Sequence, residues 1–254
     1  MLAVPAIVLA GAFSWTGAAG DTVVTSSAAP GTTTETDVAA AVSSDAAGTT
    51  HWTASLVKLL VVQQLLARDA AGTLTLDDDD LALVEQAVEA SDDEAMSALW
   101  VQFDGAELVT TAAEEFSLTG TAAPETAAPE TAGQEGQATT TAADCATFLA
   151  GLGEHLSAAD LTTLVGWLQS TTGTAAGGFA QDYGLLSADA GNTGAVAAEQ
   201  GWMCCVDGSR QLHSAGVLAD GRVVVLLGEF PTSTSWADAQ AVLDAAAAAV
   251  VSGT

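Results

Sequence analysis

Basic residues are almost missing from this chain. Its 254 residues hold four lysines and arginines against 32 acids, a formal charge of −28. Nothing here could neutralise a row of phosphates, which excludes nucleic acid and anionic membrane surfaces as partners. Aromatic residues make up only 5% of the chain, so few large rings anchor the core. Hydrophobic residues nevertheless reach 49%, and a disordered acidic tail is excluded as well. The three cysteines, Cys145, Cys204 and Cys205, show no zinc spacing. A bridge from Cys145 to one of the other two and a set of buried, idle thiols both stay open. Neither a phosphate-cradling glycine loop nor a metal constellation is present, so no cofactor and no metal is expected.

What is there divides the chain unevenly. Residues 2–19 carry no charge and end in small residues, like the apolar region of a secretory signal. Pro5 and the glycines interrupt the run, which barely reaches membrane-spanning length. Residues 1–20 therefore read as a signal peptide and the protein as secreted or held in the cell envelope, with no stable membrane insertion after processing. A cytoplasmic protein with an apolar first strand is the other reading. No cysteine ends the apolar run, which argues against a lipid anchor there. Residues 21–37 are rich in Ser, Thr, Ala and Gly and read as a flexible linker. A single domain is expected over 38–254.

Within that domain, 38–43 reads as a strand and 54–67 as a buried helix, too long and too apolar for a strand. Four aspartates at 77–80 cap the next helix, where the macrodipole favours acids. Further helices are expected at 94–103, 105–116, 141–152, 158–170 and 236–251. The duplicated Ala-Ala-Pro-Glu-Thr within 119–138 marks a loop. Strands at 194–205, 210–218 and 222–229 are separated by Asp-Gly turns. The order gives an α+β fold, an antiparallel sheet flanked by helices with a helical middle region. The strand at 38–43 should join that sheet.

One position stands out chemically. Lys58 is the only lysine in the chain, and it sits inside the most apolar helix, where a charge costs most. Ser55 lies three residues earlier, on the same helical face. Backbone N–H groups of a helix's first turn are unpaired and can receive a developing oxyanion, and a neighbouring lysine can take a hydroxyl proton. A helix-capping Ser55 and a snorkelling Lys58 would be the structural explanation.

Thr53-Ala-Ser-Leu-Val-Lys58, followed by Ser91-Asp92-Asp93 before a helix, resembles the class A β-lactamase and penicillin-binding serine hydrolase superfamily. So do Thr139-Thr-Thr-Ala-Ala-Asp-Cys-Ala-Thr-Phe-Leu149 and the three C-terminal strands. That family carries SxxK, SDN and KTG signatures, the last on a strand. The resemblance implies a β-lactamase-like fold with Ser55 as acylated nucleophile and Lys58 as its base or proton relay. It makes Ser91 the hydroxyl that protonates the leaving group. The backbone N–H groups of Ser55 and Trp202 would form the oxyanion hole, with Gly201 and His213 lining the pocket. His213 has a second reading, as a satisfied core histidine, while His51 and His155 look like turn residues.

Two signatures are altered. Asp93 stands where the family has asparagine, and Glu199-Gln200-Gly201 stands where it has KTG. The family's Glu-x-x-Leu-Asn deacylation motif is absent, leaving Glu125 or Glu130 as stand-ins. A carboxylate at 93 favours a charged Lys58, which works against a base. Glu199 offers an anion where the family presents a cation to a substrate carboxylate, and Arg210 is the cation expected to compensate. The expected function is an exported serine hydrolase of the β-lactamase or D-alanyl-peptidase type, acting on a small-molecule or peptide substrate through an acyl-serine. A catalytically silent relative, serving as a binding or scaffold domain of the envelope, is the alternative.

Overall fold

The computed structural model describes residues 23–28, 47–125, 134–187, 197–206 and 208–252. Its main sheet runs β1 (Val23–Ala28), β6 (Val223–Pro231), β5 (Ser209–Val217), β4 (Ala197–Val206) in spatial order. The last three form an antiparallel meander, with Glu199 opposite Ala215 and His213 opposite Leu227. The β6 strand is buried on both faces, as its unbroken Val-Val-Val-Leu-Leu run requires. Val225 and Leu227 face the helical layer, whereas Val224 and Leu226 face the C-terminal helix.

The helices are α1 (Val57–Ala70), α2 (Asp78–Glu89), α3 (Asp93–Phe103), α4 (Gly105–Glu115), α5 (Ala142–His155), α6 (Ala158–Gln169) and α7 (Trp236–Ser252). All ten residues from Val57 to Leu66 are buried, so α1 is a central helix covered on every side. The Asp77 carboxylate closes a capping box with Asp80, which accounts for the aspartate run. Ser157 caps α6 through the Asp160 N–H, as its position suggests.

Four readings need correction or fall outside the described residues. Val23–Ala28, inside the expected linker, pairs with β6 in parallel register; its β-branched Val-Val-Thr start favours a strand over a tether. The strand expected at 38–43 and the signal-like residues 1–20 lie outside the described residues. A second, two-stranded sheet joins β2 (Thr50–Trp52) to β3 (Thr139–Thr141). Strands of three residues show no periodicity, and the sequence gives no sign of them. Cys204 and Cys205 are joined in a disulfide, and Cys145 remains a thiol. A register shift of the β4–β5 ladder at this point breaks the alternation that would send the two cysteines to opposite faces.

Candidate active site

A short 3-10 turn, Ala54–Leu56, leads directly into α1 and carries Ser55, which is 7% exposed. Ala54, just before it, has a φ of 46°, and Ser91 has a φ of 43°. Left-handed conformations are costly for side chains with a Cβ, and both occur where the chain turns into the site. The turn is gripped from two sides. Thr53 donates its N–H to the Ala138 carbonyl at 2.8 Å, and its hydroxyl to the Gly136 carbonyl at 3.4 Å. A Cβ on Gly136 would lie 3.3 Å from the Ala54 Cα, and one on Gly201 would lie 3.3 Å from the Thr53 oxygen. Neither position has comfortable room for a side chain. Glycines at 136 and 201 thus let the loop before β3 and the edge strand β4 close onto the serine turn.

Lys58 is 1% exposed, as its isolation in an apolar helix suggests. Its Nζ donates to Ser91 Oγ at 2.9 Å and to Asp93 Oδ1 at 2.8 Å. Ser91 is itself 2% exposed, whereas the Asp93 side chain is 74% exposed at the N-terminus of α3. Asp92 caps that helix by accepting from Glu94 and Ala95 N–H groups, and this turns Asp93 toward Lys58. Folding therefore brings α1 and α3 together through Lys58, Ser91 and Asp93.

Glu199, on β4, is 1% exposed, and neither carboxyl oxygen has a hydrogen-bond partner among the described residues. Burial raises it well above the ordinary carboxylate range; the charge of Lys58 pulls it down and that of Asp93 pushes it up. Glu199 thus feels the charges of both Lys58 and Asp93, which are paired with each other.

Arg210 does not compensate. It pairs with Cys204, five residues along β4 from Glu199 (199 to 204), about 17 Å at ordinary strand rise. It also lies on the opposite face of the sheet, with Leu212, over the Trp236 ring at 5.0 Å and donating to the Thr234 carbonyl. Strand alternation puts Arg210 and Glu199 on different faces, a parity visible only once the β4–β5 register is known. His213 is withdrawn from the pocket too. Its Nε2 lies 2.8 Å from the Trp52 carbonyl, and its Nδ1 accepts the Gly228 N–H at 3.3 Å. Burial holds it neutral, with a pKa lowered to about 3. His51 is no turn residue either but lies buried on β2, 3.9 Å from the Glu229 carboxylate, and His155 stacks on Phe116. Trp202 turns its ring to the α7 face, stacked on Phe179 at 4.6 Å, so only its backbone can serve the site.

One acid escaped the sequence reading. Glu135, in the 3-10 turn Glu135–Gln137, is buried; Ser97 Oγ on α3 donates to its Oε1 at 2.9 Å, and its Oε2 has no partner among the described residues. It belongs to the turn that packs on Ala54. Glu125 is exposed and Glu130 lies outside the described residues. The only sequence signal for Glu135 is that it is the last acid before β3, with nothing to separate it from the other glutamates of the loop.

The comparisons agree with this architecture. The class A β-lactamase of the last common ancestor of Gram-negative bacteria superposes with a TM-score of 0.59 at 22% identity, over 82% of this chain and 87% of that one. A PBP-A variant solved as an acyl-enzyme complex with penicillin G gives 0.60 at 18%, covering 82% and 83%. The β-lactamase of Desulfarculus baarsii gives 0.59 at 20%, covering 82% and 85%. These likenesses establish a β-lactamase-like fold. No protein-family model matches the chain. "Putative lipoprotein LppW" of Mycobacterium tuberculosis and of Mycobacterium bovis is 29% identical over 180 residues, 70% of this chain. The chain spans about half the length, 55%, of these curated relatives.

Proposed function

We propose that the protein is a serine hydrolase of the envelope, of the β-lactamase or D-alanyl-peptidase type, working through an acyl-Ser55 intermediate. The observation that carries this reading is the buried Lys58, one helical turn past Ser55 and bonded to Ser91 Oγ at 2.9 Å. An amine bonded to a second hydroxyl, one helical turn past a buried serine, supplies the groups through which a serine nucleophile loses its proton.

In this reading Ser55 Oγ bonds to the substrate carbonyl carbon. Its proton passes to the Lys58–Ser91 pair, and the oxyanion rests on the backbone N–H groups of Ser55 and Trp202. The bond to the leaving group breaks as Ser91 hands it a proton. Water then cleaves the acyl ester, with Glu135, on the turn that packs against Ala54, to accept its proton, and Ser55 is regenerated. The envelope location rests on the lipoprotein naming of the LppW relatives and on the signal-like residues 2–19.

A specific contact favours a second reading. Asp93 pairs with Lys58 at 2.8 Å, and this contact occupies the amine that the acyl-serine path requires. On that basis the fold would serve as a silent binding or scaffold domain. Burst kinetics with a small neutral nitrophenyl ester separate the two. A serine hydrolase releases about one equivalent of nitrophenol per protein at once and then turns over slowly, and Ser55→Ala removes both phases. Absence of burst and turnover supports the scaffold.

A further inference from the structure

The acyl-serine reading places its two oxyanion donors on different elements, Ser55 on the turn ahead of α1 and Trp202 on β4. The two are far apart in the chain, so bonds between turn and sheet must set their spacing. His213 stands where these parts meet. It is fully buried on β5, directly opposite Gly201, the residue before Trp202. Its Nδ1 accepts the Gly228 N–H at 3.3 Å. A backbone amide can only donate, and burial holds the ring neutral, so its single proton sits on Nε2. Nε2 therefore donates at 2.8 Å to the carbonyl of Trp52, the last residue of β2 and three before Ser55 (52 to 55). Tyr183 Oη lies 3.1 Å from the carbonyls of both Gly201 and His213, which stiffens that rung. On Gly201 a Cβ would lie 3.3 Å from the Thr53 oxygen and 3.4 Å from the His213 Cβ. Turn, β4 and imidazole thus meet with no further side chain between them.

We infer that His213 is a positioning residue of the oxyanion hole: as the Nε2–H tautomer it ties the Trp52 carbonyl to the Gly201 rung, and so sets the spacing of the Ser55 and Trp202 N–H groups. It touches no substrate and transfers no proton. The inference rests on the acyl-serine reading, because that reading assigns the two N–H groups their role. Thr53 anchors the same turn to Ala138 and Gly136, but these lie in the approach to β3, in the other sheet. The His213 bond joins the turn to the sheet that carries Trp202. Placement matters because losing one oxyanion donor costs about 10²–10³-fold in rate, and a shift of about 1 Å can cost about 10²-fold.

Two conservative variants divide the bonds of the imidazole. His213→Gln puts an amide N–H where Nε2 stands and keeps the bond to Trp52. His213→Asn puts an oxygen near Nδ1 and keeps only the acceptor for Gly228. Acylation of the full chain by a small neutral nitrophenyl ester gives a rate constant and a half-saturation concentration, and urea unfolding gives each variant's stability. At a similar loss of stability, His213→Asn should lower the rate constant by about tenfold or more, with half-saturation nearly unchanged. His213→Gln should keep it within about threefold of the native value. Amide NMR reads the geometry without any reaction: the Ser55 and Trp202 N–H signals should move in His213→Asn far more than in His213→Gln. The ring ¹⁵N signals of His213 in the native protein should show a bare Nδ1 and a protonated Nε2, a result that needs neither variant. Those amide shifts in a protein that does not acylate would uphold the inference and defeat the hydrolase reading. Acylation slowed equally in both variants, or in neither, would overturn the inference and leave the hydrolase reading standing. A proton on Nδ1, or unmoved Ser55 and Trp202 signals in His213→Asn, overturns it outright.

Discussion

Two ionisable side chains, one on a helix and one on the sheet, are buried to the same degree and treated in opposite ways. Lys58, on the helical side, is 1% exposed and makes two close bonds, to Ser91 and to Asp93 at the start of α3. Glu199, on the sheet side, is also 1% exposed and makes none among the described residues. Burying an ion costs several kcal/mol unless partners are supplied, so the helical side is complete by itself and the sheet side is not. The difference teaches where to look for a ligand. A satisfied buried charge explains a fold; an unsatisfied one asks for something the chain does not provide.

The largest effect should come from cutting the complete side. Lys58→Met keeps the volume and removes the amine, and Ser55 acylation should fall by about 10²–10⁴-fold, the usual range for losing a proton-transfer group. Single-turnover mass kinetics check this. A fall below threefold would show that Lys58 only fills space.

On the sheet side, charge and pH should act together. Glu199 in the folded protein holds its proton to a higher pH than in the unfolded chain. Between those two values the native state binds the extra proton, so stability is full below the ordinary carboxylate range and is lost as pH rises. Glu199→Gln cannot ionise. Its advantage over the native protein in urea unfolding should be near zero at pH 4 and grow steadily to pH 9, reaching a few kcal/mol at most. A flat difference would mean that Glu199 has a partner. The same asymmetry predicts negligible acylation by penicillins at neutral pH, with a measurable gain in Glu199→Lys combined with Asp93→Asn.

A smaller effect tests how β4 is fixed behind Glu199. Tyr183 Oη lies 3.1 Å from both the Gly201 and His213 carbonyls, across one rung of the β4–β5 ladder. Tyr183→Phe should lower stability by about 1–2 kcal/mol, read from the urea midpoint. The smallest belongs to Arg210, whose contacts lie wholly on the α7 face. Arg210→Leu should cost about 0.5–1 kcal/mol of cation–π and hydrogen-bond stability. It should leave Ser55 acylation unchanged, whereas a compensating Arg210 would alter it.

The two sides also differ in how legible they were. Lys58 could be read from the chain because rarity and apolar context are one-dimensional facts, Ser91 only through the resemblance of its motif, and helix periodicity carries α1, α2 and α6, the last two with their caps. The α+β order and the β4–β6 meander follow in the same way from period-two runs and Asp-Gly turns. Arg210 and His213 could not be placed, since their facing depends on the register of β5 against β4 and on its contact with Trp52. Glu135 was hidden for a different reason. Its burial depends on the loop closing over Ala54, which no local pattern among so many Ala, Thr and Glu residues announces. The β2–β3 pair joins segments almost ninety residues apart (50 to 139) in strands too short to show a pattern.

The central claim is that Ser55 is a nucleophile served by Lys58 and Ser91. Reaction of the full chain with a small fluorophosphonate, followed by intact mass and peptide mapping, measures it most directly. One adduct on Ser55, absent in Ser55→Ala and strongly slowed in Lys58→Met, is the predicted result. An unmodified protein, or an adduct carried by any other residue, would contradict it.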